Sequence, residues 1–375
     1  MARKRIILKF GSSTIADEAG RINADIMEQL IAEIVYLLRE HEVLLVSSAA
    51  VRLGRSAQAL LRGSLQRYRD LPYSKEILRE QMLAAVGQGK LITYYLQAFG
   101  ALGVECAQLL TTTRDFAERE RYVGLRTVTV NLLTAGVVPI FNQNDPVFPD
   151  LHVEAIENND QLAVLVAVMV GAHGIVVVSD VDGFRAGPPN DPVSPIVPVI
   201  QDVEEYLPMV DDSITNGKGG MTSKLRMAQL AMALGLDMHI VNGRTDHVVT
   251  RALAGEQIGT YFPAHEIKLS DLKKWLRTAP AQGRIVVSTT LADAYCKKSA
   301  VSVLCAGIDQ VQGTFANHAV VEVYDDKGRL LGKGQTRLSS AEIETRMKFH
   351  VERRSQGITG DKADIAIHYD YFTFA

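Results

Sequence analysis

Short apolar runs rich in β-branched residues alternate along the chain with segments whose apolar residues recur at helical spacing. The runs are continuous, which is typical of strands buried on both faces of a sheet. They lie at residues 6–8, 43–46, 137–140, 175–178 and 238–241. One helical stripe consists of Ile26, Leu30, Ile34 and Leu38. The alternation predicts an α/β fold with a mostly parallel sheet sandwiched by helices.

This pattern stops near residue 262, and a different one follows. Residues 320–324 and 329–332 flank a turn-like segment and predict a β-hairpin. Ser339 and Glu342 have the spacing of a capping box, which could start a helix through Arg353. We therefore expect a small, mainly β C-terminal domain. The predicted divisions are a first domain at 1–262, a linker at 263–280, a β domain at 281–360 and a C-terminal tail at 361–375.

Composition narrows the classes of partner and the compartment. The 375 residues carry a net charge of −3, so no bulk attraction to nucleic acid or to an anionic membrane is expected. The three cysteines lack metal-binding spacing and are expected to be buried thiols in a reducing compartment. The basic N-terminus lacks the features of a signal peptide, and the longest apolar run, at residues 162–170, is too short to cross a bilayer. We expect a cytoplasmic protein without a membrane partner.

Five polar clusters stand where predicted strands end or a helix begins: four follow strands, and one opens a helix. The clusters contain Lys9 and Gly11; Ser47 and Ser48; Asn142, Asn144 and Asp145; Asn158, Asn159 and Asp160; and Ser179 and Asp180. Each cluster alone is typical of a turn or an N-cap. The carboxyl ends of parallel strands meet at one edge of a sheet, where open α/β folds bind ligands. Jointly, the clusters predict a phosphate-binding site.

A glycine–lysine loop, GKGGMTSK at residues 217–224, is the sixth candidate element. The residues after it, LRMAQLAMALG, have a strongly helical composition, so the loop is predicted to lie at a helix N-terminus. Free backbone N–H groups and the helix dipole favour an anion there. Glycines allow close approach of phosphate oxygens, and lysine adds positive charge. The spacing is not that of a Walker A loop.

These pieces, in this order, resemble the amino acid kinase family. The resemblance is carried by LKFGSS, LLAAVGQGKLI, VPIFNQND, ENNDQLAVLVA, SDVDGF and GKGGMTSKL, and it extends over essentially the whole chain. The C-terminal segment, with GIDQVQGTF followed by the hairpin, resembles a PUA domain. The resemblance implies ATP-dependent phosphorylation of the γ-carboxylate of L-glutamate to glutamyl 5-phosphate, the first step of proline biosynthesis.

The resemblance also implies roles for individual residues. Lys9 and Lys224 would contact the transferring phosphoryl group, with Asp160 holding both ammonium groups. The amino acid would be bound by Ser48, Asp145 and Asn159. The residues implied to bind ATP are Lys9, Gly11, Ser179, Asp180, Lys218, Gly219, Gly220, Met221, Thr222, Ser223 and Lys224. Mg²⁺ would arrive with the nucleotide, without a separate protein metal site. Relatives imply a homodimer or homotetramer, and glutamyl phosphate reductase is the implied partner.

Alternatives remain open at this point. Ala49 stands where the family usually has glycine, Asn158 where it has an acidic residue, and Gln161 where it has asparagine. Most of the departures lie where the amino acid would be recognised, so a paralogous kinase acting on another small carboxylate is one alternative. A second is an RNA-binding protein acting through the PUA-like domain, although 12 Lys and Arg against 11 Asp and Glu from residue 281 give a net of only +1. A third is a catalytically silent kinase fold.

Overall fold

The chain forms two compact units in a computed structural model, which describes residues 3–65, 75–147, 159–187, 194–210, 220–297, 301–355 and 364–374. Among these residues, the first unit comprises those of Met1–Thr112, Arg126–Pro149 and Ile156–Ile267. The second unit comprises those of Thr113–Leu125 and Lys268–Ala375. Each unit is described by itself below.

A seven-stranded sheet forms the centre of the first unit, in the order β3-β4-β2-β1-β5-β6-β7. The first six strands pair in parallel and β7 is antiparallel to β6. The strands are β1 Lys4–Phe10, β2 His41–Ser47, β3 Cys106–Thr111, β4 Val138–Gln143, β5 Gly174–Ser179, β6 Asp237–Asn242 and β7 Thr260–Phe262. The predicted fold class is therefore confirmed, as are the five strands expected from continuous apolar runs.

Helices connect the strands of this sheet along the chain. In chain order, the described helices before residue 254 are α1 Ser12–Ile15, α2 Ala24–Leu37, α3 Ala50–Gly54, α4 Gln58–Leu65, α5 Lys75–Ala101, α6 Thr113–Ala117, α7 Arg119–Thr134, α8 Asn159–Val170, α9 Met221–Ala233 and α10 Val248–Leu253. The α6 helix and the first turns of α7 belong to the second unit. The α8 helix is apolar on all sides after its first turn and is buried throughout residues 162–170, as expected for a helix enclosed within a core.

Strand β1 lies where the strand order reverses. The chain places β2, β4 and β3 on one side of β1 and β5, β6 and β7 on the other. In register, Lys9 of β1 pairs with Val46 of β2 and with Val177 of β5. Open α/β sheets bind ligands beyond the carboxyl ends of their strands at such a switch point. Lys9 is the second-last residue of β1 and therefore lies at that position.

Two glycines let α3 and α5 pack backbone against backbone. A methyl group at Gly87 of α5 would collide with the carbonyl oxygen of Ala50 in α3. A methyl group at Gly54 of α3 would collide with the backbone of Leu83 in α5. The α3 helix begins two residues after Ser48, so α5 directly supports the segment that follows β2.

The second unit contains a six-stranded, mostly antiparallel sheet in the order β10-β8-β11-β12-β13-β9. Its strands are β8 Gly283–Val287, β9 Val303–Leu304, β10 Ile308–Gln312, β11 Val320–Tyr324, β12 Leu330–Thr336 and β13 Ile365–Phe374. Its helices after α10 are α11 Asp271–Thr278, α12 Thr289–Cys296 and α13 Ser340–Ser355. The predicted β domain and its hairpin, β11 with β12, are confirmed.

The predicted capping box is present at the start of α13. The backbone N–H of Ser339 donates to Glu342 Oε2 over 2.8 Å, and the N–H of Glu342 donates to Ser339 Oγ over 3.4 Å. These reciprocal bonds satisfy N–H groups that have no partner within the helix. The pKa of Glu342 is lowered because its carboxylate accepts the Ser339 backbone and side-chain hydrogen bonds.

The domain boundaries stay a prediction, and two observations bear on where they are drawn. Trp275 of α11, within the predicted linker, is 1% exposed and donates from Nε1 to the carbonyl oxygen of Phe116 over 2.9 Å. Its ring also packs against that of Tyr122, with centroids 5.7 Å apart. Strand β13, within the predicted tail, pairs with β12 and β9. Across the described ranges, no helix has the length and apolar character needed to cross a membrane.

Candidate phosphoryl-transfer site

A buried ion pair joins the end of β1 to the start of α8. Lys9 Nζ contacts Asp160 Oδ1, and the two residues are 6% and 2% exposed. Lys9 reaches this point because β1 ends there, and Asp160 because it is the second residue of α8. Neither charge could be buried alone without a large free-energy cost, so each accounts for the other's position.

Helix α9 adds a second lysine and a hydroxyl to this pair. Ser223 Oγ donates to Asp160 Oδ2 over 3.1 Å. Lys224, one residue on, is 8% exposed. Burial of Asp160 opposes its ionisation, but the charges of Lys9 and Lys224 and the hydrogen bonds from Lys9 and Ser223 outweigh burial and lower its pKa. The structure thus brings together Lys9, Asp160 and Lys224, to which the resemblance assigns catalytic roles, around a carboxylate whose lowered pKa keeps it ionised at neutral pH.

The glycine–lysine loop leads into α9, as predicted. Gly220 occupies the N-cap in an extended conformation without a side-chain cap, and the first turn carries no acidic residue. The N–H of Lys224 bonds to the carbonyl oxygen of Gly220 over 3.3 Å. Helix N-termini with free N–H groups and no competing carboxylate suit an anion. Met221, Thr222 and Ser223 complete this turn, whereas Lys218 and Gly219 lie outside the described residues.

Strands β5 and β6 lie on the same side of β1, and α9 immediately precedes β6 in the chain. Ser179, the last residue of β5, is buried and donates from Oγ to Asp180 Oδ1 over 3.2 Å, and Asp180 is exposed. Gly11 follows β1 and donates its N–H to the carbonyl oxygen of Val178 over 3.0 Å. The residues expected to bind ATP therefore cluster at the carboxyl ends of β1 and β5 and at the start of α9.

On the other side of β1, Ser48 follows β2 and Asp145 follows β4, and both were expected to bind the amino acid. Ser48 follows β2 directly and is buried. Ser47 Oγ shares a hydrogen bond with Tyr95 OH over 3.0 Å, which fixes the end of the strand on α5. Ala49 has φ 76° and ψ 3°, in the left-handed region. An L-residue with a Cβ pays roughly 1–2 kcal/mol there, so this backbone is strained at the site.

Strand β4 ends next to β2 in a second amide-rich segment. The side-chain oxygen of Asn142 accepts the Gln143 N–H over 2.8 Å, and Asn142 Nδ2 is buried without a hydrogen-bond partner among the described residues. Asn159 Oδ1 is likewise buried and unpartnered within that set. Asp145 opens a short 3₁₀ turn, Asp145–Val147, and is half-buried. Buried polar atoms without partners are rare and call for an explanation such as a ligand.

Sequence reasoning missed several contributors to this edge. Ser223 was expected to bind nucleotide, but its bond to Asp160 was not foreseen. Gln88, in the middle of α5, reaches the end of β4 by donating to the carbonyl oxygen of Gln143 over 3.2 Å. Asp182, after β5, accepts from Asn242 Nδ2 over 2.7 Å. The contact between Asp182 and Asn242 could have been suspected, because Asn242 is the last residue of a strand with a continuous apolar run. Asn158, one of the departures noted above, lies outside the described residues.

An α/β sheet with a lysine–carboxylate–lysine cluster at its switch point, beside a helix whose first turn carries no acidic residue, indicates a phosphotransferase. The family model for the amino acid kinase family matches residues 4–242, and that for the PUA domain matches residues 283–357. The chain belongs to the amino acid kinase family.

The chain's curated relatives narrow this class further. Glutamate 5-kinase of Meiothermus ruber is 35% identical over 381 residues, covering 99% of this chain and 96% of that protein. Glutamate 5-kinase of Caldanaerobacter subterraneus subsp. tengcongensis is 35% identical over 91% of this chain and 89% of that protein. Glutamate 5-kinase of Photorhabdus laumondii subsp. laumondii is 30% identical over 97% of both chains.

Proposed function

We propose that this chain phosphorylates the γ-carboxylate of L-glutamate with ATP, yielding glutamyl 5-phosphate and ADP, as the first step of proline biosynthesis. The observation that carries the proposal is the buried Asp160 carboxylate, which contacts Lys9 and whose pKa is lowered by the charges of Lys9 and Lys224. The chain is also similar to glutamate 5-kinases over nearly its whole length. The sheet order supports it too, because Ser48 and Asp145 follow strands on one side of β1, whereas Ser179 and Asp180 follow β5 on the other side.

The chemistry needs alignment and charge neutralisation rather than a base. A γ-carboxylate oxygen attacks the terminal phosphorus of ATP, and the bond from that phosphorus to the bridging oxygen breaks, releasing ADP. The acceptor is already an anion, so no proton is transferred. In this proposal Lys9 and Lys224 offset the charge on the transferring group, and Asp160 keeps the two ammonium groups in place. Because the pKa of Asp160 is lowered, it stays ionised and acts as an anchor.

The nucleotide's phosphates would lie at the start of α9, whose first turn offers N–H groups, hydroxyls and Lys224 and itself contains no acidic residue. Gly11, Ser179 and Asp180 are the proposed ATP contacts at the strand ends. Mg²⁺ would be held mainly by the phosphate oxygens, which is its usual mode in kinases, and would add further charge neutralisation. Lys218 and Gly219 belong to the same proposal.

Ser48, Asp145 and Asn159 are the proposed amino-acid ligands. Ser48 follows β2, Asp145 follows β4, and Asn159 opens α8 immediately before Asp160. Asn159 Oδ1, which has no hydrogen-bond partner among the described residues, is an acceptor suited to an ammonium group. Asn142 Nδ2, likewise without a described partner, is a donor suited to a carboxylate. These two atoms together match the charged groups of a free amino acid.

The decisive experiment measures ADP release and hydroxamate formation by purified protein with ATP, Mg²⁺, hydroxylamine and a panel of carboxylates. We expect hydroxamate with L-glutamate and little with aspartate or glutarate. Turnover only with another carboxylate would replace glutamate as the acceptor and leave a paralogous kinase. Absence of turnover with every carboxylate would refute the proposal.

A matched pair of variants tests the charge-neutralising role. Lys224→Ala should lower kcat about a hundredfold, since one lost charged contact to a transition state costs roughly 3 kcal/mol. Arg226→Ala is the control, because Arg226 lies on α9 two residues away and is exposed. It should retain wild-type kcat. Equal activity of the Lys224 variant and the control would contradict the assignment.

The acyl phosphate product hydrolyses readily, so transfer to a glutamyl phosphate reductase is the expected next step. Assembly as a homodimer or homotetramer, and a cytoplasmic location, complete the proposal. Co-elution with the reductase and light scattering of the purified chain would test the first two.

A further inference from the structure

Gln88 is a buried amide on an otherwise apolar face of α5. The neighbouring residues on that face are Ala84, Leu91 and Tyr95, all buried, and Gln88 itself is 6% exposed. Burying an amide is unfavourable unless its polar atoms are hydrogen-bonded. Gln88 Nε2 donates to the carbonyl oxygen of Gln143 over 3.2 Å, and Gln88 Oε1 accepts from Gln108 Nε2 over 3.1 Å.

The carbonyl that Gln88 binds lies where β4 loses a strand partner. Pairing of β4 with β2 extends only to Phe141, whereas pairing with β3 continues through Gln143. In a parallel strand, the N–H and C=O groups of one residue point toward the strand on one side, and those of the next residue point toward the strand on the other side. The N–H of Gln143 is bonded by its own neighbour, Asn142 Oδ1, over 2.8 Å, and its carbonyl by Gln88. Two side-chain amides thus take the place of the missing strand.

This arrangement fixes the orientation of the segment that carries the proposed acceptor ligands. Asn142 uses its oxygen to cap the Gln143 N–H, which leaves Nδ2 buried and unpartnered within the described part of the chain. The peptide held by Gln88 leads directly to the turn Asp145–Val147, against which α5 packs. A shift of the Gln143 carbonyl would therefore move Asn142 and Asp145 together.

We propose that Gln88 is a positioning residue for the acceptor amino acid. It acts through the main chain of Gln143, without contact to the substrate, and keeps Asn142 and Asp145 in the geometry that recognises the acceptor's charged groups. The proposal rests on the proposed function, and it concerns only acceptor binding, because Gln88 lies on the β2–β4 side of the sheet, away from β5 and α9.

The test measures KM for L-glutamate and for ATP, with kcat, in the full-length protein. Gln88→Leu should raise the KM for glutamate about tenfold, the effect of one lost hydrogen bond, and leave the KM for ATP within about twofold. Gln97→Leu is the matched control, because Gln97 is an exposed glutamine on the same helix. The control should match wild type for both substrates.

Two further variants keep the proposal falsifiable if Gln88→Leu folds poorly. Gln88→Glu retains an acceptor for Gln108 but places a carboxylate oxygen against the Gln143 carbonyl, so its glutamate KM should rise at least as much. Gln108→Leu, at a half-buried position on β3, removes only the outer bond and should raise that KM less, in the same selective way. A purely structural role would lower the melting temperature without separating the two KM values.

An unchanged glutamate KM, or equal rises for glutamate and ATP in the folded variants, would overturn the inference. Its failure is distinguishable from failure of the proposed function, which is decided beforehand by turnover of the wild-type protein. If wild type uses another carboxylate, the same KM comparison is made with that acceptor, and the same selective rise is expected.

Discussion

Replacing Asp160 by asparagine should destabilise the first unit by about 3–5 kcal/mol. The variant keeps the size of the side chain and an oxygen for Ser223, but it removes the charge that faces Lys9 and Lys224. All three residues are at least nine-tenths buried. Breaking a buried ion pair by removing one partner typically costs about 3–5 kcal/mol, because the remaining charge is left without compensation. Two ammonium groups are left here, so the upper end of that range is expected.

Removing the closest ammonium group as well should restore much of this loss. Replacement of both members of a buried pair by neutral residues of similar size is often close to neutral for stability. The double variant Asp160→Asn with Lys9→Met should therefore unfold at a higher urea concentration than Asp160→Asn alone, while remaining inactive. The difference between the double variant and the sum of the single variants gives the coupling energy of the pair.

Urea unfolding followed by two probes assigns the change to the correct unit. Far-UV circular dichroism reports on both units, whereas the fluorescence of Trp275, the single tryptophan, reports on the second. A loss below about 1 kcal/mol for Asp160→Asn, or a double variant no more stable than the single one, would refute the reasoning that the carboxylate compensates two buried charges.

The stabilities of wild type and Asp160→Asn should become more similar at acidic pH. The folded-state pKa of Asp160 is lowered from 3.8, mainly because the charges of Lys9 and Lys224 and its hydrogen bonds outweigh burial. A lowered folded pKa contributes stability that is present above the unfolded pKa and is lost as pH falls through the folded value. The difference in urea midpoint between wild type and Asp160→Asn should thus be full at pH 7 and shrink below pH 3.8. A difference that grows on acidification would contradict the direction of the shift.

Three other predictions concern packing, backbone strain and thiols. Gly87→Ala should lower the free energy of unfolding by about 1–3 kcal/mol, because the added methyl group collides with α3. Gly89→Ala, on the same helix but in open space, should raise the free energy of unfolding by about 1 kcal/mol. Equal urea midpoints for the two variants would contradict the close packing. Ala49→Gly should raise the free energy of unfolding by about 1 kcal/mol, since glycine tolerates the left-handed backbone. A decrease in that free energy would argue against the left-handed conformation. Cys106 and Cys305 should react with a disulfide reagent at pH 8 only after unfolding, because burial raises each thiol pKa to about 11; rapid reaction of more than one thiol per chain would disprove this.

Much of the parallel sheet could be predicted because its strands are buried on both faces. Continuous apolar runs mark β1, β2, β4, β5 and β6, and the rule that ligands bind beyond carboxyl ends then links polar residues far apart in the chain. Lys9 became a candidate site residue in this way, whereas Asp160 was a candidate at a predicted helix start. Strand β3, CAQLLT, is an outer strand and half-exposed, and β7 has three residues, so neither carries a continuous apolar pattern.

The finer organisation of the site depends on contacts that have no local signal. Gln88 lies within a helical segment whose composition does not distinguish a surface amide from one that binds β4. The left-handed backbone of Ala49 has no local signal either, since alanine does not favour that region. A single sequence does not encode the contact partners of Gln88 explicitly.

The position of β1 between two sets of ligand-bearing strands has an evolutionary consequence. Segments that would read the incoming carboxylate follow β2 and β4, whereas those that would hold nucleotide follow β5 and open α9. Substitutions that retune the choice of metabolite can accumulate on one flank while the machinery on the other flank is inherited unchanged. Such a division would let acceptor recognition change without disturbing the nucleotide side, and Ala49, one of the departures from the family pattern, lies just after β2.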